Sequence, residues 1–570
     1  MPNAIAYAAL LATPFVVWVL FWRFSPEKAL ILSVVGGYLL LPELVQFNLP
    51  LLPPWDKMSA PVYAALPVCW AILRREKRFR QMRGMRPRGA PPVPAPPVPG
   101  PDESAPAPDP APQPRGRGRE QPQVAAQTVA GPEAQHGPRA AAAPRNRQPG
   151  APDAGAAGPE TAAPRSYQLA PPAGPRRMVL NIAIGLHILL PIFIMMTNRD
   201  PLPVGGGKVL PAVQVYDLGS MMMLAALGLL PFLLARRFLA DPAAHRLMLV
   251  VFAVGGLLYS LPILFEVRFS PQLNNWLYGF YPHSFMQHVR DGGFRPMVFL
   301  RHGLRIGLFL VMAILAALML MRISRGARLR WMLAALWMCA VLLVSKNLGA
   351  VVILVLLGPA LLLTARIQLL AVAAIAATLL FYPGVRGSGL LPLDRILSIA
   401  ADINPERAGS LRYRLDNEDR LLAKLNERPL FGWGGWARSR VFDPNTGADI
   451  TVTDGAWIIS AGQRGWVGYL VLFGMITGPA LFLALMRRRY EIPPATIGVA
   501  VLLAANMIDM MPNASLNLIT LTLAGAVAGY YERAPLRTRA PVPQRGTDPA
   551  APRDRPAPEP RFAPVGRSRG

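Results

Sequence analysis

Cysteine is nearly missing from this chain: there are two, Cys69 and Cys339, in 570 residues. They lie in separate apolar runs, so neither a disulfide framework nor a thiolate metal site follows. Histidine is also scarce, with six residues. Acidic residues are outnumbered, 32 Asp and Glu against 59 Lys and Arg, giving a formal charge of +27. In a soluble chain that excess would point to nucleic acid. Here no reading module accompanies it, so no nucleic-acid partner is expected. The basic residues fall in short loops between apolar runs, one long linker and the tail, where the positive-inside rule places them. The start, MPNAIAYAALLATPFVVWVLFW, lacks a basic leading region and a small-residue cleavage site. It reads as a first span, not a removed signal peptide. No inverted repeat is visible, which weakens a transporter reading.

What is abundant is apolar length. Hydrophobic residues make up 52% of the chain, and many runs approach the roughly 20 residues that cross a bilayer as a helix. Backbone polar groups in lipid must be satisfied within such helices. The chain therefore reads as an all-α polytopic membrane protein with about 12–13 transmembrane helices. Spans fall near 4–22, 29–46, 60–74, 178–196, 216–236, 246–265, 297–321, 331–345, 347–365, 367–382, 456–485, 493–511 and 514–531. The block RREKRFRQMRGMRPR fixes the end of the third span as cytoplasmic; ARRFLADPAAHR, RISRGARLR and RRRY do the same for later ones.

The organisation that follows is membrane helices in 1–74 and 178–382, a large non-cytoplasmic loop at 383–455, and closing helices in 456–532. A Pro/Ala/Arg-rich linker at 75–177 and a similar tail at 533–570 belong in the cytoplasm. Both carry too little large apolar surface to offset ordering entropy, so disorder is expected. For the linker, recruitment of cytoplasmic partners and a plain tether both stay open.

Three segments converge on the outer face. Ser345-Lys346-Asn347 sits at the boundary of two spans. A cation at that depth marks a functional site by default; the plain alternative is a lysine snorkelling to the headgroups. Residues 410–436, SLRYRLDNEDRLLAKLNERPLFGWGGW, place Arg412 and Arg414 ahead of a helix with apolar Leu415, Leu421, Leu422 and Leu425 on one side. A salt-bridged surface helix would look the same. Pro429, Gly432, Gly434 and Gly435 end it in a loop suited to close approach of a ligand. Asp454 then stands at the entrance to the span at 456–485. It reads equally as a general base and as a helix N-cap. Arginine forks match phosphate oxygens, so a lipid-linked pyrophosphate suits these cations.

A second outer segment, Glu266–Gly303, is aromatic, polar and cationic. It fits sugar rings and an interfacial aromatic belt equally well. It holds His283, His288 and His302, alternative bases to Asp454, and Arg295 and Arg301, further candidates for diphosphate contact.

These segments, in this order, resemble the O-antigen ligase and Wzy-type O-antigen polymerase superfamily. That family shows Ser-Arg-Gly where this chain has Ser345-Lys346-Asn347. It shows Arg-Leu and, fifteen residues after the arginine, a Pro-Leu-x-Gly-x-Gly turn, matched by Arg414-Leu415 and Pro429–Gly434. It shows a histidine followed eleven residues later by Gly-x-x-Gly, matched in spacing by Asp454 and Gly465–Gly468. Lysine at 346 and aspartate at 454 depart from the pattern. The resemblance implies a large periplasmic loop, a bacterial inner-membrane location and a metal-independent, inverting glycosyltransferase. The implied donor is a polyprenyl-diphosphate-linked glycan, and the acceptor another glycan or lipid A–core. It assigns Asp454 and Arg414 to catalysis, and Lys346, Arg412, Arg414, Arg295 and Arg301 to the diphosphate. No cofactor is implied, and no Asp-x-Asp motif occurs on the outer loop. Polymerase is the first reading and ligase the second. Glu43 and Asp509, ionisable groups in apolar runs, keep a lipid-linked sugar transporter open. A silent scaffold presenting the linker is the remaining class.

Overall fold

The computed structural model describes residues 1–48, 52–84, 171–290 and 292–537. The chain divides into one compact unit, residues 1–76 and 167–570, and a second, residues 77–166. Most of the linker, and the tail beyond 537, lie outside the described residues.

Among the described residues the fold is mainly helical. The N-terminal part contains α1 (Ala4–Leu11), α2 (Thr13–Arg23), α3 (Pro26–Leu40) and α4 (Ala60–Gly84). Next come α5 (Gly174–Thr197), α6 (Val215–Gly228), α7 (Leu230–Phe238), α8 (Pro242–Phe269) and the short α9 (Leu273–Tyr278). The run α10 (Gly303–Ile323), α11 (Arg328–Val344), α12 (Leu348–Leu362) and α13 (Ala365–Gly387) follows. Then come α14 (Leu393–Ile403), α15 (Pro405–Asn426), α16 (Ala456–Leu485), α17 (Pro494–Asp509) and α18 (Leu518–Arg533). Among the described residues the strands form three two-stranded hairpins.

Among the described residues seven helices are long and apolar enough to cross a membrane; α6 and α7 count as one of them. The number is eight if α1 and α2, bent by 40° where they meet, are one span. The sequence expects about 12–13. The difference lies in α3, α12, α17 and α18, which run 15 or 16 residues, and in α4, whose apolar stretch ends at Leu73 before a basic run. A straight crossing takes roughly 20. Proline follows α3 at Pro42, where its missing N–H and its ring disfavour a further turn.

Helix α10 sits at the centre, with 83% of its most apolar window buried. It is apolar on every side, as a helix enclosed by others must be, and packs against α8, α11, α12 and α17. Helix α5 instead leaves Ile182, Leu186, Leu189 and Phe193 exposed, an apolar surface matched to lipid.

Hydrogen bonds group the helix ends. At one end Arg176 donates to the Tyr531 carbonyl at 2.5 Å, Arg236 pairs with Glu532, and Arg237 pairs with Glu76 at 2.5 Å. At the other, Lys57 and Arg305 meet Glu43, and Arg414 donates to the Pro512 carbonyl. The segment expected as a loop at 383–455 contains α14 and α15 at this second end. A further cap is built there from β3 (Leu202–Gly205) and β4 (Lys208–Leu210) seated on the Asp443–Gly447 turn. A Cβ at Gly205 would lie 2.4 Å from the Pro444 carbonyl oxygen. Arg438, buried, donates to the carbonyls of Pro211 at 2.8 Å and Asp200 at 3.1 Å, closing the cap from below.

Candidate functional site

Helix α16 is broken at Gly465, whose φ of 65° and ψ of −176° are not helical. The turn Pro429–Gly434 fills the break. Trp433 and Gly434 donate their N–H groups to the carbonyls of Gly462 and Gln463, both at 2.9 Å. In return Trp466 and Val467 donate to the carbonyls of Pro429 at 2.8 Å and Leu430 at 3.2 Å. Backbone groups released by the kink are thereby satisfied, as a membrane helix requires. The sequence offers this glycine turn to a ligand. The structure corrects that: the partner in close approach is the main chain of α16.

Helix α15 begins at Pro405, ten residues before the helical spacing that starts at Leu415. Leu415, Leu421, Leu422 and Leu425 are buried, as their spacing predicts. Arg386, at the end of α13, clamps the helix through Glu418 at 3.3 Å, Asp419 at 2.7 Å and the Leu415 carbonyl at 3.1 Å. Burial pushes the Glu418 carboxyl above its ordinary value, with Arg386 pulling the other way.

This clamp sets Arg414. Its Nε lies 3.6 Å from Asp454 Oδ2, and its terminal nitrogen donates to the Pro512 carbonyl at 2.9 Å. Asp454 is not the helix cap. Gly455 holds that place without a side-chain bond, and the Ala456 N–H goes to the carbonyls of Met510 and Asn513. Both members of the pair are nearly two-fifths exposed, at 38% and 39%, so a ligand can reach them. They line a cavity of about 150 Å³ with Tyr382, Leu411, Glu418 and Met511. Arg412 is exposed on the same helix.

The remaining predicted cations lie elsewhere. Arg295 is buried; its Nε donates to Asn347 Oδ1 at 2.6 Å and its stem packs on Gly303. It ties the hairpin of β5 (Val289–Arg290) and β6 (Gly293–Phe294) to the start of α12. Lys346 has a φ of 56°, and its ammonium lies against Gly293, where a Cβ would be 2.6 Å from Nζ. Arg301 is exposed before α10. Of the five cations, Arg414 and Arg412 share α15, Arg295 and Lys346 lie at the hairpin, and Arg301 stands before α10.

Beside Arg295, His283, His288 and His302 cluster, with ring centroids 4.9 to 6.1 Å apart. His302 caps α10, its Nδ1 accepting from the Leu304 N–H at 3.1 Å. Burial holds His302 down to about 3, with Arg295, His288 and His283 adding to the effect. His288 Nδ1 bonds the Arg295 carbonyl at 3.1 Å.

Sequence reasoning missed Lys57 and Arg305. Glu43 lies in the loop after α3 and bridges both: Arg305 at 3.1 Å and Lys57 at 3.5 Å. Lys57 also donates to the Phe299 carbonyl at 2.6 Å. Burial draws the Lys57 ammonium down to about 8, with Glu43 opposing. Asp509 ends α17 and accepts from Asn513 at 2.8 Å. The only signal for Lys57 in the sequence was a lone cation between two apolar spans.

Compared with known proteins, no family model matches this chain, and no curated protein matches it either.

Proposed function

We propose that the protein is an inner-membrane glycosyltransferase of bacteria that joins polyprenyl-diphosphate-linked glycan repeat units on the periplasmic face. In this reading the shorter apolar helices complete about 12–13 crossings. The observation that carries it is the Arg414–Asp454 pair: an accessible carboxylate, not used as a cap, beside a guanidinium at a cavity mouth.

Asp454 takes the proton of an acceptor hydroxyl. The hydroxyl oxygen attacks the anomeric carbon from the face opposite the diphosphate, and the carbon–oxygen bond to the diphosphate breaks. The polyprenyl diphosphate leaves intact, its developing charge met by Arg414 and Arg412. Lys346 and Arg301 stand apart from this cavity, and Arg295 holds the β5–β6 hairpin against the start of α12.

The test is a gene deletion complemented with wild type, Arg414→Ala, Asp454→Ala and Lys346→Ala at matched expression. The length distribution of surface and secreted polysaccharide is read on a gel. Single repeat units with the Arg414 and Asp454 variants support polymerisation. Long lipid-linked polymer that never reaches lipid A–core would mean ligation instead. Full complementation by all three removes the site from catalysis.

A further inference from the structure

The break in α16 positions a second polar place, at membrane depth. Arg464 immediately precedes Gly465, and its stem packs where a Cβ on Gly468 would lie 2.3 Å from Arg464 Cβ and 2.5 Å from Leu190 Cδ2. Its guanidinium makes no hydrogen bond or ion pair with any described residue. It lines a cavity of about 80 Å³ between α5, α6 and the glycine turn, together with His187 and Gln463. His187 is 5% exposed, and its Nδ1 is buried with no hydrogen-bond partner. The other walls include Leu190, Pro191 and Met221. On α5, neighbouring Leu186, Leu189 and Phe193 are exposed on the helix's apolar surface.

A buried, unpartnered imidazole beside a half-buried guanidinium that bonds no described residue is costly in apolar walls, and such intramembrane groups mark function by default. A guanidinium fork with an adjacent ring N–H matches the oxygens of a phosphate group. The volume is several times the roughly 10–15 Å³ that one water needs, enough for a small head and too confined for a protein segment. Apolar walls that run on to the exposed face of α5 suit an attached hydrocarbon chain.

We propose that Arg464 and His187 form a phosphate-binding site, filled from the side by the head of a membrane amphiphile. The site shares no lining residue with the Arg414–Asp454 cavity, and its occupancy does not depend on glycosyl transfer.

The experiment uses the purified full chain in detergent. Retention of phosphatidic acid and of diacylglycerol is measured by native mass spectrometry, with inorganic phosphate as competitor. Wild type should retain phosphatidic acid and not diacylglycerol. Arg464→Gln should weaken that retention at least tenfold, and His187→Phe should weaken it too, with both variants monodisperse on gel filtration. Arg464→Lys, which keeps the charge and loses the fork, is expected to fall between wild type and Gln and serves if Gln disrupts assembly. Displacement by millimolar inorganic phosphate would assign the site to the free anion; resistance to it assigns the site to the lipid-borne group. Equal retention by wild type and the variants, or equal retention of diacylglycerol, overturns the proposal.

Discussion

Gly432 and Gly465 approach so closely that neither has room for a side chain. A Cβ on Gly432 would lie 2.5 Å from the Gly465 nitrogen, and one on Gly465 would lie 2.2 Å from the Leu430 carbonyl oxygen. Both also have positive φ, 69° and 65°. Gly432→Ala or Gly465→Ala should each cost at least about 2 kcal/mol, from backbone strain and overpacking together. Thermal unfolding in detergent measures it. Gly409→Ala on α15, where a Cβ meets open space, is the control and should be neutral or slightly stabilising.

Glu43 serves two cations at once. Its removal leaves Lys57 buried without its carboxylate, so Glu43→Gln should destabilise by about 3 kcal/mol or more. Replacing the lysine as well, in a Glu43→Gln/Lys57→Met double variant, should recover part of the loss. Denaturation midpoints of the two variants decide this. A double variant no better than the single would show that the pair is not coupled.

His302 supplies an acid-sensitive element. Its folded value of about 3 lies below its ordinary 6.5. The unfolded chain therefore binds the proton more readily between those limits. Stability from this residue is complete above pH 6.5 and is lost as the pH falls from 6.5 toward 3. Asparagine keeps the cap without titrating. The melting temperature of His302→Asn should thus fall less than that of wild type between pH 7 and pH 5.

Arg386 acts on the site through α15, as a positioning residue. Arg386→Ala releases Glu418, Asp419 and the Leu415 carbonyl together, and Arg414 loses its register with Asp454. Polysaccharide chain length should fall nearly as far as with Arg414→Ala. Arg386→Lys should restore much of it, whereas Arg414→Lys, having lost the fork, should not.

Much of the fold was legible because apolar length is a local property. The span read at 456–485 is α16 to the residue, and Leu415, Leu421, Leu422 and Leu425 face inward as their spacing predicts. Helix length was harder. Hydropathy does not register where Pro42 halts a run, so the apolar run at 29–46 extends past the end of α3 at Leu40. The pairing of Arg414 with Asp454 is 40 residues apart in sequence, and that of Glu43 with Arg305 is 262. No periodicity carries such information. The glycine turn was recognisable as a close-approach element, but composition is silent on whether the approaching partner is a substrate or the chain itself.

The cap of β3, β4 and the Asp443–Gly447 turn is knit from carbonyls, amides and glycines. Asp443, Thr446 and Lys208 add side-chain bonds that hold its shape, whereas the exposed side chains of Val209 and Asn445 take no part in it. Such a surface can be resculpted residue by residue while its scaffold stays intact. Among descendants of this chain, the exposed positions of the cap can therefore drift faster than its architecture, with Gly205, Gly206, Arg438, Asp443 and Thr446 as the fixed points.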